Sequence, residues 1–148
     1  MSSHLPILIF LVPFFMGVSM PILTVKRRSV CPDITLATVI VMFVLAISNL
    51  YVVQTQGPIE YALGGWSAPV GIAWVNDSIA AIVVLTVSVV AMLSLIYGRL
   101  VITSDLKKSV PYYTLILVMI SGLVGIVFAA DLFNVFVFLE VAALTGYA

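Results

Sequence analysis

The sequence predicts an all-α integral membrane protein of about five transmembrane helices. An outside N-terminus and an external β-hairpin-like loop between helices 2 and 3 complete the expectation. Three observations carry it. Of the 148 residues, 64% are hydrophobic and only 8% are charged, whereas soluble domains carry roughly 25% charged residues. Five uncharged apolar runs come close to the roughly 20 residues that a helix needs to cross a hydrocarbon core of about 30 Å. The runs lack the two-residue alternation of barrel strands, so their backbone groups must be satisfied within helices.

The same counts exclude other classes. A disordered chain needs low hydrophobicity and high charge, and a nucleic-acid binder needs a basic patch. Here six Lys or Arg balance six Asp or Glu, so no nucleic-acid partner is expected. The single cysteine, Cys31, rules out a disulfide framework or thiolate metal cluster within the chain. No Ser-His-Asp, metal-ligand or phosphate-loop pattern stands in the sequence, and His4 is a lone terminal histidine. No catalytic centre and no cofactor are therefore expected.

Residues 1–148 read as one transmembrane domain, with spans at about 5–25, 34–53, 78–97, 111–130 and 132–148. The first span differs from a secretory signal, which puts its positive charges ahead of the apolar region. Its basic cluster, Lys26, Arg27 and Arg28, comes after. Pro6, Pro13 and Pro21 are seven and eight residues apart, a spacing expected to gather them on one face. Pro13 and Pro21 each remove a backbone donor and predict a bend. Between the second and third spans, IEYALGGWSAPVGIAWV has two β-prone arms around Gly64, Gly65, Ser67 and Pro69, which reads as a hairpin. Trp66 and Trp74 are expected at the membrane-water boundary, where an amphipathic ring is favoured. Pro111 is expected in the first turn of the fourth helix, where a missing donor is tolerated.

Every basic residue falls in the link after the first span or the link after the third. The positive-inside rule makes that side cytoplasmic and puts the N-terminus outside.

Five of the six acids, Asp33, Glu60, Asp77, Asp105 and Asp131, sit at span boundaries. Glu140 does not. From a start near Leu132 it lies about 12 Å deep at about 1.5 Å per residue, near the middle of the bilayer. Its neighbours Phe136, Val137, Phe138, Leu139, Val141 and Ala143 offer no side-chain donor. An unpaired carboxylate there costs a few kcal/mol or more, and intramembrane acids usually mark ion paths. Either the group is protonated and joins two helices by a hydrogen bond, or a cation pairs with it. No Lys or Arg of this chain lies within a span, so that cation must come from elsewhere. Asn134 and Thr145 share the fifth helix but lie off the Phe136–Glu140–Leu144 face. Asp131 reads as a helix N-cap more than an ion carrier; it and Asn134 are secondary candidates. Gly122, Gly125 and Ala129 form a small-residue stripe expected at a close helix contact.

The string YALGGWSAPVGI, with Asp77 a few residues on, resembles the outer loop of antiporter-like, proton-translocating subunits. Its carriers here are Tyr61, Gly64, Gly65, Trp66, Pro69, Gly71 and Asp77. DLFNVFVFLEVAALTGYA is similar to the fifth helix of the same family. That family comprises the D-type subunit of Mrp cation/proton antiporters, the pumping subunits of complex I and relatives in membrane-bound hydrogenases. The Gly-Gly-Trp loop most resembles the Mrp and hydrogenase members. The resemblance implies that Glu140 is the essential mid-membrane ionisable residue, facing a lysine on a later helix. It further implies a chain several-fold longer, with two inverted five-helix repeats, of which this sequence resembles the N-terminal part.

The expected function is thus a membrane subunit, or an N-terminal fragment or split part, of a proton or Na+/H+ translocating module. Its host would be an Mrp-type, hydrogenase-type or complex I-like assembly in a prokaryotic cell membrane. Its partners would be the lipid bilayer and other membrane subunits, one of them supplying the lysine opposite Glu140. Without that lysine the chain alone is not expected to pump. A scaffold subunit that transports nothing is the alternative. Any redox chemistry would belong to partner subunits.

Overall fold

The computed structural model describes residues 4–25, 27–62, 72–101 and 106–148. Helix α1 runs Leu5–Leu23 with a proline in its opening turn, where a missing donor costs nothing. A 3-10 turn, Arg28–Val30, leads into α2, Cys31–Gln56, whose first turn holds Asp33 against the positive end of the helix dipole. Gly57 ends α2 at φ 88°, a left-handed backbone that glycine adopts freely, and its N–H bonds the Val53 carbonyl. Strands β1, Ile59–Ala62, and β2, Ala73–Asn76, pair antiparallel with Ile59 opposite Asn76 and Tyr61 opposite Trp74. Helix α3 covers Ser78–Val101, α4 Leu106–Phe128 and α5 Leu132–Tyr147.

The architecture is helical and membrane-type. Among the described residues, four helical stretches are long and apolar enough to cross a membrane: Leu5–Leu23, Arg28–Gln56, Ser78–Arg99 and Ser109–Phe128. At 16 residues α5 is apolar but shorter, about 24 Å at 1.5 Å per residue. Helix α4 packs between α1 and α5, and α2 packs on α3 and α1. Gly17 admits the α1–α4 contact: a Cβ there would sit 3.1 Å from both Leu117 Cβ and Val118 Cγ2. At one end of the bundle Arg99 of α3 pairs with Asp33 of α2 at 2.7 Å, which joins the end of α3 to the start of α2.

The hairpin arms fall where the loop composition predicts them; the residues between, including Gly64, Gly65, Trp66, Pro69 and Gly71, lie outside the described ones. Trp74 departs from expectation. It is not an interfacial anchor but is 1% exposed, because β2 turns Trp74 and Asn76 inward and Val75 outward. Strand β2 is also pinned from the other side: Trp74 bridges Ala129, and Ala130 N–H donates to the Ala73 carbonyl at 3.2 Å.

The prolines need two corrections. Pro111 lies inside α4 and not at its first turn, because the helix already begins at Leu106. Pro6 and Pro13 are buried while Pro21 is exposed; eight residues at about 100° each leave Pro21 about 80° from Pro13.

Candidate functional site

Helix α5 presents two different faces. Asn134 and Phe138 turn toward the bundle, whereas Phe136, Glu140 and Leu144 are exposed. Residues four apart stay on one side of a helix, so Glu140 emerges in the middle of an outward apolar stripe. Among the described residues it has no hydrogen bond and no ion pair. The side chains lining the groove between α3 and α4, about 340 Å³ in volume, include no titratable group.

The start of α5 is fixed by Asp131. Its Oδ1 accepts the Asn134 N–H at 2.8 Å, and its other carboxylate oxygen accepts from the Asn134 side-chain amide. The backbone N–H, then the side-chain amide of Asn134, hold the Asp131 carboxyl below the usual carboxylate range. Asn134 is thereby spent on the cap, 5% exposed and away from Glu140. Asp77 plays the same part for α3, accepting the Ala80 N–H at 2.8 Å. Tyr61 lies at the N-terminal end of the chain's first helix, with its hydroxyl 3.3 Å from His4 Nδ1.

Gly122 and Gly125 are where α4 meets α5. A Cβ at Gly122 would lie 3.0 Å from the Ala142 backbone nitrogen, and one at Gly125 would run into the Phe138 ring. Sequence reasoning missed the buried pair Asn49–Asn76. Asn49 is one polar residue within an apolar run, and its partner lies in the hairpin. It also missed Phe138, which carries no polar signal.

These features define an integral-membrane helical unit that presents a single acid on an otherwise apolar flank. No family model matches the chain. It is 30% identical over 150 residues to NADH-quinone oxidoreductase subunit N of Desulforudis audaxviator, an alignment covering 100% of this chain and 30% of that protein. To the D-type subunit of the Na+/H+ antiporter from Alkalihalophilus pseudofirmus it is 33% identical over 145 residues, covering 98% of this chain and 29% of the relative. A chain in the structure of the membrane-bound sulfane sulfur reductase, an archaeal respiratory membrane complex, matches with TM-score 0.87 at 26% identity. That match covers 96% of this chain and 29% of the other. The chain is similar to these subunits along its whole length, and it spans about 30% of the length of these curated relatives.

Proposed function

We propose that the chain is part of a proton or Na+/H+ translocating, antiporter-like subunit, and that Glu140 is its mid-membrane ionisable residue. The carrying observation is the exposure of Glu140 on the Phe136–Glu140–Leu144 face without a partner among the described residues. A carboxylate does not face acyl chains alone without a cost of a few kcal/mol or more. A further helix, from the same subunit or a neighbour, therefore covers this face and brings a cation, most simply a lysine.

The chemistry is a two-state exchange. An apposed ammonium favours the carboxylate, and its withdrawal or neutralisation favours the protonated acid. A proton thus enters and leaves Glu140 as the partner's charge changes. In this reading α5 is a fifth span, the basic ends face the cytoplasm, and the N-terminus lies outside a prokaryotic cell membrane. The host is an Mrp-type, hydrogenase-type or complex I-like assembly, and the length of the relatives leaves room for the remaining helices.

The test is Glu140→Gln in the assembled complex, with ion transport followed in vesicles. Loss of transport with the complex intact is expected. Full transport by that variant would overturn the assignment and leave the scaffold reading.

A further inference from the structure

We propose that Phe138 is a positioning residue for Glu140: its ring, seated against Gly125 between Phe10 and Trp74, sets the rotation of α5 and so the direction the carboxyl faces. The inference rests on Glu140 being the translocating acid, but its geometry stands without transport.

Three elements hold the one ring. Phe10 of α1 meets it edge-on with centroids 5.4 Å apart, and Trp74 of β2 does so at 6.0 Å. From α4, Gly125 offers the floor: a Cβ there would come within 2.8 Å of Phe138 Cε1 and closer still to the inner ring atoms. Only hydrogen at that position leaves space for the ring. Trp74 cannot retreat easily, since it also lies against Phe128 at 5.7 Å and its strand is bonded to Ala129 and Ala130. Aromatic pairs prefer such tilted contacts, so the seat is selective in angle as well as in volume.

Two residues along a helix turn about 200°, so a ring held inward at Phe138 sends residue 140 outward. Helix and carboxyl rotate as one body. If the ring leaves its seat, α5 is free to roll on α4 until other residues fill the gap, and Glu140 no longer meets whatever covers it. Gly122 brings the two helices close without touching the ring: a Cβ there would meet the Ala142 backbone and, at 3.2 Å, the Phe138 carbonyl oxygen.

The experiment uses the assembled membrane complex with Cys31→Ser, which removes the one cysteine of these 148 residues, and with any other cysteine of the complex likewise replaced. Spin labels on Leu132→Cys, exposed at the start of α5 and about 80° off the Glu140 face, and on the exposed Val44→Cys read the distance between α5 and α2. Adding Gly125→Ala is expected to shift or broaden that distance by a few ångströms, the scale of the helix radius of about 2.3 Å. Adding Phe138→Leu to Gly125→Ala is expected to restore it, since the smaller side chain fits beside the new methyl. In label-free protein Gly125→Ala should lower transport at least several-fold while the complex remains assembled, with recovery in the same double variant. An unchanged distance with Gly125→Ala, or no recovery with Phe138→Leu, overturns the proposal. If Gly125→Ala does not assemble, Phe138→Ala, which needs no extra room, must broaden the distance or the proposal falls. Full transport by Glu140→Gln would instead remove the translocation reading, while the distances still decide whether Phe138 sets the helix.

Discussion

Asn49 and Asn76 close a reciprocal pair of amide hydrogen bonds in the interior of the protein. Asn76 Nδ2 donates to Asn49 Oδ1 at 2.7 Å, and Asn49 Nδ2 donates back to Asn76 Oδ1 at 3.2 Å. Both residues are fully buried. The pair joins the second transmembrane helix to the inner arm of the hairpin, and β2 in turn holds Trp74 against the ring of Phe138.

Breaking one side of the pair leaves a buried amide unmatched. Asn49→Leu or Asn76→Leu should each destabilise the protein by about 1–3 kcal/mol, the cost of a buried polar group without its partner. Replacing both by Leu should cost clearly less than the sum of the two. A double-mutant cycle from thermal unfolding in detergent measures the difference, and strict additivity would mean the amides do not support one another.

Much of this was legible in the sequence, for identifiable reasons. The apolar runs, the turn formers at the hairpin and the capping role of Asp131 are local signals, and local chemistry determines them. Glu140 was legible because it is the one acid remote from a span boundary, and the helical period put it with Phe136 and Leu144. What stayed hidden is relational. Trp66 and Trp74 look alike as residue types, and alternation along β2 gives two faces without saying which one the bundle covers. Pro111 seemed to open a helix because the apolar run begins there, whereas the helix starts in the polar link before it. Asn49 finds its partner 27 residues away, beyond any periodicity. Phe138 reads as one more apolar residue until Gly125, Phe10 and Trp74 are brought around it.

The burial of Trp74 has an optical consequence. With Trp66→Phe leaving a single tryptophan, emission should lie at short wavelength, and acrylamide added to the water should quench it weakly. An interfacial indole would emit at longer wavelength and be quenched readily. In the same background Trp74→Ala should cost about 3–5 kcal/mol, as expected for emptying a large aromatic site, and thermal unfolding measures it.

The cap at Asp131 predicts a pH dependence of defined sign. Its carboxyl is held below its ordinary value of 3.8 in the folded protein, so its charged form contributes stability above that value. The contribution fades as pH falls through 3.8 toward the lower folded value. Asp131→Ala should therefore unfold at a lower temperature than the unsubstituted protein at neutral pH. The gap should narrow as the pH is brought below 3.8, read as two melting curves across a pH series. A gap that widens on acidification would contradict the hydrogen bonds from Asn134 as its source.

Assembly and transport should separate at two positions on the α4–α5 pair. Gly122 has no room: a Cβ there meets the Ala142 backbone nitrogen at 3.0 Å, and a backbone atom cannot rotate away as a side chain can. Gly122→Leu must push the helices apart, at a cost of about 1–3 kcal/mol or more for overpacking, and should release the chain from its complex on native electrophoresis. Glu140 is exposed on the opposite flank, and Gln has nearly its shape, so Glu140→Gln should assemble normally. Transport in vesicles then divides the two functional readings. A translocating acid requires that Glu140→Gln assemble and fail to transport, whereas a scaffold requires that it assemble and transport as before, with only Gly122→Leu causing loss.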